Sequence, residues 1–64
     1  MTLITTRNVA DPDAAYELLL SAHEGLSKAE SDALNARLIL TLINHIGDIE
    51  VLREALHLVR DDTG

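Results

Sequence analysis

The sequence contains no cysteine, and its aromatic content is a single residue, Tyr16. The lack of cysteine excludes disulfide bridges and zinc sites with thiolate ligands. A chain of 64 residues buries only about 60% of the surface that it exposes when unfolded, and domains of this size usually gain stability from disulfides, metals or oligomerisation. Because disulfides are excluded, the sequence favours oligomerisation or a partner protein as the source of added stability.

Basic residues and long apolar runs are also scarce. Lys and Arg number 5 against 11 Asp and Glu, so that the formal net charge is −6. The clustered cations that neutralise phosphates are missing, which argues against nucleic acid or an anionic membrane as a partner. No apolar run exceeds three residues, as in Leu38-Ile39-Leu40, whereas a membrane-spanning helix needs about 20. The N-terminus has no apolar core of signal-peptide length, so we expect a cytoplasmic protein.

Residue types that start and stop helices mark the first helix clearly. Asp11 can accept hydrogen bonds from free backbone N–H groups, and Pro12 suits the first helical turn because it has no N–H of its own. Gly25 tolerates the left-handed conformation that often follows a helix. These signals predict a first helix that ends just before Gly25.

The same signals define two further helices. Ser27 and Glu30 have the spacing of a capping box, in which each side chain accepts a hydrogen bond from the other's backbone. Gly47 predicts the end of this second helix, and Asp48 can cap the third.

The predicted fold is therefore all-α. We expect a compact antiparallel three-helix domain with helices at about 12–24, 28–46 and 49–60. The connections are only a few residues long, which makes consecutive helices antiparallel neighbours. Residues 1–10 have no helical period and are interpreted as an irregular N-terminal arm, either disordered or laid on a neighbouring surface, while residues 11–64 form the single domain.

The middle helix is too apolar for the surface of a small monomer. The apolar residues of 34–46 cover roughly 240° of the helix circumference, whereas a stripe that faces one core needs only about 100°. Two neighbouring helices of the same chain can cover about two thirds of such an arc. The remainder predicts an interface with a second copy or with a partner, formed by Tyr16, Leu20, Asn35, Ile39, Leu40 and Ile43.

Asn35 is the one amide in the middle of this apolar arc, and we expect it to be buried. A buried amide without a partner costs about 1–3 kcal/mol. Two explanations remain open. Asn35 bonds either to a carbonyl of the loop near Gly25 or to its own copy across a symmetric interface, where it would fix the register.

A narrow polar stripe runs along the second helix and just beyond its end. It consists of Arg37, Thr41, Asn44, His45 and Asp48. The stripe is either an ordinary solvated edge, a contact for a partner protein, or the site of a small ligand or metal. For His45 and Asp48 the simplest interpretation is local, with the imidazole near the carbonyls at the helix end and the carboxylate capping the next helix.

Evidence for catalysis is weak. Glu54 and His57 have the Glu-x-x-His spacing of di-iron helix bundles, but such sites need several further carboxylates that point inward. We find no pairing of a nucleophile with a base and no glycine-rich phosphate loop. The expectation is a protein that is not an enzyme and that carries no cofactor.

Several short motifs together resemble a family of short proteobacterial proteins classed as a domain of unknown function. The motifs are Asp11-Pro-Asp13, Ala22-His-Glu-Gly-Leu-Ser27, Leu34-Asn-Ala-Arg-Leu38, Asn44-His-Ile-Gly-Asp48 and Leu52-Arg-Glu-Ala55. The resemblance extends from Asp11 onward and is expected not to include the arm. It implies no catalytic residue. Because members of the family are encoded beside flavin-dependent aromatic hydroxylases and ring-degradation enzymes, it implies an accessory role with such a hydroxylase as a candidate partner.

The sequence therefore predicts a non-catalytic interaction module. It self-associates, as a homodimer for example, or it binds a different protein as an accessory subunit of a catabolic enzyme. The alternative is a protein that binds a small ligand or a metal through the polar stripe.

Overall fold

The computed structural model describes the backbone of residues 2–63 and the side chains of residues 2–60. Three helices follow one another along the chain: α1 (Pro12–His23), α2 (Lys28–Ile46) and α3 (Ile49–Thr63). No strand occurs among these residues. The prediction of an all-α fold with three helices is confirmed, and the bounds of α2 are those predicted. The end of α3 lies three residues beyond the predicted one.

The predicted N-terminal caps of α1 and α2 are present. Asp11 Oδ1 accepts a hydrogen bond of 3.0 Å from the backbone N of Ala14. The capping box of α2 is complete, because the N of Glu30 donates to Ser27 Oγ at 3.2 Å and the N of Ser27 donates to Glu30 Oε1 at 2.9 Å. Local sequence signals are therefore sufficient to position both helix starts.

The turn between α2 and α3 is equally well defined. Gly47 has a φ of 68°, which a residue with a Cβ adopts only at a cost, and its N–H donates to the carbonyl oxygen of Ile43 at 2.9 Å. Asp48 Oδ1 then accepts from the backbone N of Glu50 at 2.9 Å and of Val51 at 3.4 Å. The predicted cap of α3 is confirmed.

Burial is where the structure differs from the expected compact domain. Among residues 2–60 the only buried apolar residue is Val51, with 6% of its surface exposed. Five further apolar residues are only half-buried, so the described side chains do not close a core; they are Leu3, Leu34, Ile43, Leu52 and Ala55. No two of the three helices share an extended contact within the described part of the chain. The antiparallel orientation of the helices remains a prediction.

The overall dimensions agree with this loose packing. The radius of gyration is 13.4 Å, whereas a compact domain of 64 residues is expected at about 11 Å. The accessible surface is 5664 Å², compared with about 4,000 Å² for a compact monomer of 7.0 kDa. The single chain therefore exposes about 1,600 Å² more than a self-contained domain of its mass.

The N-terminal arm touches α3. The backbone N of Leu3 donates to Glu54 Oε2 at 3.3 Å, and the Leu3 residue is half-buried. Farther along, the guanidinium of Arg7 donates to the carbonyl oxygens of Val9 at 3.4 Å and of Ala10 at 2.7 Å. These bonds shape the chain just before α1 begins.

Candidate interaction surface

The residues predicted to form an interface lie on α1 and α2. Tyr16 is 63% exposed and Leu40 is 65% exposed, and Leu20 and Ile39 are also largely open to solvent. Ile43 is half-buried. Large apolar side chains in water are unfavourable in proportion to the area they expose, at about 25 cal/mol per Å². This set of residues is therefore available to a partner in the isolated chain.

The third helix adds exposed apolar surface to the interface that the sequence predicts. Ile49 is 67% exposed and Leu56 is also open. They lie seven positions apart at one edge of α3 and, with Leu52 and Arg53, line a shallow groove of about 140 Å³. The signal was present in the sequence, since the apolar arc of α3 spans roughly 180° where about 100° suffices for a core.

Asn35 is exposed, so the expectation of a buried amide is wrong for the single chain. The reason is that the helices do not close over the middle of the apolar arc. Its Oδ1 lies 2.8 Å from Nε2 of His23, the last residue of α1. This partner is neither the loop carbonyl nor the second Asn35 that the sequence suggested. The sequence contains both groups, a histidine at the end of α1 and an amide in the apolar arc of α2, but no local signal pairs them.

Both ring nitrogens of His23 face oxygen atoms. Nδ1 lies 2.8 Å from the carbonyl oxygen of Leu19, and Nε2 faces Asn35 Oδ1. An imidazole can donate to two acceptors at once only in its protonated form. The Leu19 carbonyl, and next the Asn35 side chain, therefore raise the pKa of His23 above its usual value.

The polar stripe is not assembled into one site. Arg37, Thr41, Asn44 and His45 are all exposed. Thr41 Oγ1 donates to the carbonyl oxygen of Arg37 at 2.8 Å, a bond within the helix. No ion pair involves the Arg37 guanidinium in the part of the chain that the structure describes.

Asp48, the last member of the stripe, is half-buried and already accepts the two N–H groups of the α3 cap. Its carboxylate has a local structural role, as the simplest interpretation of the sequence expected.

The residues that suggested a metal do not form a cluster. Glu54 Oε2 accepts the Leu3 N–H, and His57 instead borders a second depression of about 170 Å³ on α3. Within the described residues, no three His, Asp or Glu side chains are grouped as metal ligands would be. None of the helices, as far as they are described, has the length and apolar character needed to cross a membrane.

A family profile described as "Protein of unknown function (DUF2783)" matches residues 3–61. The predicted resemblance to a domain of unknown function is thereby confirmed. The match also includes Leu3–Ala10, so the expectation that the arm lies outside the family was wrong. No curated protein and no solved structure matches the chain significantly. Because the profile covers nearly the whole sequence, the chain belongs to the DUF2783 family.

Proposed function

We propose that this protein is a non-catalytic interaction module, which either self-associates or serves as an accessory subunit of a catabolic enzyme. The observation that carries the proposal is the excess of about 1,600 Å² of accessible surface over that of a compact monomer. Apolar side chains contribute to it on all three helices. A surface of this kind is stabilised when another protein covers it.

The shape of the surface supports binding of a protein in preference to a small molecule. The two depressions on α3 have volumes of about 140 and 170 Å³, whereas sites for small molecules usually measure about 300–1,000 Å³. Both depressions are shallow and border the exposed Leu56. A protein partner can fill such hollows with single side chains while it covers the neighbouring helices.

Charge narrows the choice of partner. The net charge of −6 disfavours phosphate-rich partners, and this supports a protein as the partner. We further propose that this partner is a protein of the bacterial cytoplasm. The exposed guanidinium of Arg37 suits a carboxylate on the partner, since it can donate two parallel hydrogen bonds. In the accessory version of the proposal, a flavin-dependent aromatic hydroxylase is the candidate partner.

Native mass spectrometry of the protein purified from its own host tests the proposal. We expect the chain in a complex of defined stoichiometry, either with further copies of itself or with one other protein. The variant Leu40→Glu should lose this complex, because it places a charge on the apolar face. Thr6→Glu, which adds the same charge at an exposed position outside the three helices, is the control and should keep the complex.

A folded single chain that is recovered from the host without any bound protein would overturn the proposal. Such a chain would have to close its own core, contrary to the exposure of Tyr16 and Leu40.

A further inference from the structure

We propose that the apolar surface is covered by a second copy of this chain, and that folding and dimerisation are one event. The inference rests on the proposed function and names its partner. Three observations support it: the area of exposed surface, the position of that surface on the helices, and the small number of apolar side chains that a single chain buries.

The area fits a dimer. If two chains each cover their excess of about 1,600 Å², the interface amounts to about 3,200 Å². Obligate homodimers bury about 2,000–5,000 Å², whereas typical interfaces between independently stable proteins bury about 1,600 Å². The estimated interface area is thus in the range of obligate homodimers, whose subunits are not stable alone.

The position of the surface fits a symmetric pair. In a twofold dimer the same patch serves both chains and must be complementary to itself. The exposed apolar surface comprises side chains on α1 and α2, such as Tyr16 and Leu40, and a shallow groove on α3 lined by Ile49 and Leu56. A second copy therefore brings both the side chains that fill the groove and the groove that receives them.

The charges permit the pairing. Arg37 is exposed on α2 and forms no ion pair among the described residues, while Asp13 and Glu17 are exposed on α1. In a dimer, Arg37 of each copy can pair with the α1 carboxylates of the other copy. These pairs offset part of the repulsion between two chains of charge −6.

Each chain by itself has little to stabilise it. Among residues 2–60 only Val51 is a buried apolar residue. Helices of 12 to 19 residues are marginal in water unless one face packs against something else. Helix formation in this chain is therefore expected to depend on the second copy.

Sedimentation equilibrium and circular dichroism of the purified chain, across a dilution series from about 100 μM to about 100 nM, test this coupling. We expect the mass of two chains at high concentration. The fall to one chain should coincide with the loss of helicity, and the melting temperature should rise with concentration. Leu40→Glu should raise the dissociation constant by about tenfold or more, since the charge occurs twice in a symmetric interface. Thr6→Glu, at an exposed position outside the three helices, should change it far less.

Helicity that persists while the mass halves would overturn the coupling. A single-chain mass with a cooperative melt at every concentration would overturn this inference but not the proposed function, because a chain that folds alone can still bind a different protein. A single-chain mass with little helicity would also overturn the inference of a second copy but not the proposed function, since the chain would then need a different protein in order to fold.

Discussion

Nε2 of His23 lies 2.8 Å from Oδ1 of Asn35, so the last residue of α1 is bonded to the N-terminal half of α2. The other ring nitrogen faces the carbonyl oxygen of Leu19 at 2.8 Å. The protonated ring satisfies both acceptors. A neutral ring must lose one bond, or the amide of Asn35 must rotate to present its NH₂ group. The protonation of one imidazole is thereby linked to the contact between two helices.

The stability of the protein should depend on the protonation of His23. The bonds to the Leu19 carbonyl and to Asn35 raise its pKa above the ordinary 6.5. A raised pKa in the folded state means that the stabilisation is complete below the unfolded pKa and disappears as the pH rises through the folded pKa. The difference in stability between the wild type and His23→Gln should therefore be larger at acidic than at alkaline pH. Denaturant titrations across this range measure it, with His57→Gln on α3 as the control. A pH-independent difference would contradict the linkage.

Asn35 should control the pKa of His23. In Asn35→Asp a carboxylate replaces the amide oxygen, and the negative charge favours the protonated ring, so the pKa of His23 should rise further. In Asn35→Leu the acceptor is removed, and the pKa should fall toward its ordinary value. Titration of the His23 ring signals by NMR distinguishes the three proteins. Identical titration curves would mean that the bond is not formed in solution.

The capping box should stabilise α2 measurably. Ser27→Ala removes the acceptor for the Glu30 N–H, and lost caps of this type cost about 0.5–2 kcal/mol. The Ser27 backbone N–H, and next its side chain, lower the pKa of Glu30. The stabilisation is therefore present above the unfolded pKa and is lost as the pH falls through the lowered folded pKa. Urea unfolding at neutral and acidic pH checks both effects, with the exposed Ser21→Ala as the control. Equal losses in the two serine variants would contradict the cap.

Two residues of the polar stripe should respond differently to truncation. Asp48→Ala removes the acceptor of two N–H groups at the start of α3 and should cost about 0.5–2 kcal/mol. Asp48→Asn keeps an oxygen at the same position and should cost much less. Arg37→Ala should change the free energy of unfolding by only about 0–1 kcal/mol, because an ion pair between surface side chains, within one chain or with a second copy, is worth no more than that. Thermal denaturation of the three variants separates a structural Asp48 from a dispensable Arg37, and equal losses would contradict this division.

Helix positions were predictable because their signals are local. The carboxylate of Asp11, the pairing of Ser27 with Glu30, and the left-handed Gly47 each act within a few residues of their own position. Such contacts do not depend on how the helices meet. The sequence therefore predicted the bounds of α2 and the caps of all three helices.

The arrangement of the helices was less predictable, because it depends on what lies outside one chain. The apolar arcs of α2 and α3 are both wider than a core requires, but the sequence did not show which apolar side chains of α3, such as Ile49 and Leu56, would stay open. It placed Asn35 inside a core that the single chain does not close. The hydrogen bond between Asn35 and His23 was not predicted, because it joins two helices whose relative rotation no local signal determines.

The central claim is that the exposed apolar side chains are covered in the native assembly. Hydroxyl-radical footprinting of the protein at a concentration where it is folded measures this directly at Tyr16, the single aromatic residue, and at Leu40. We predict that both side chains are oxidised several-fold more slowly than in the denatured chain. Oxidation of Tyr16 and Leu40 at the rate of the denatured chain, while the helices remain folded, would contradict the claim.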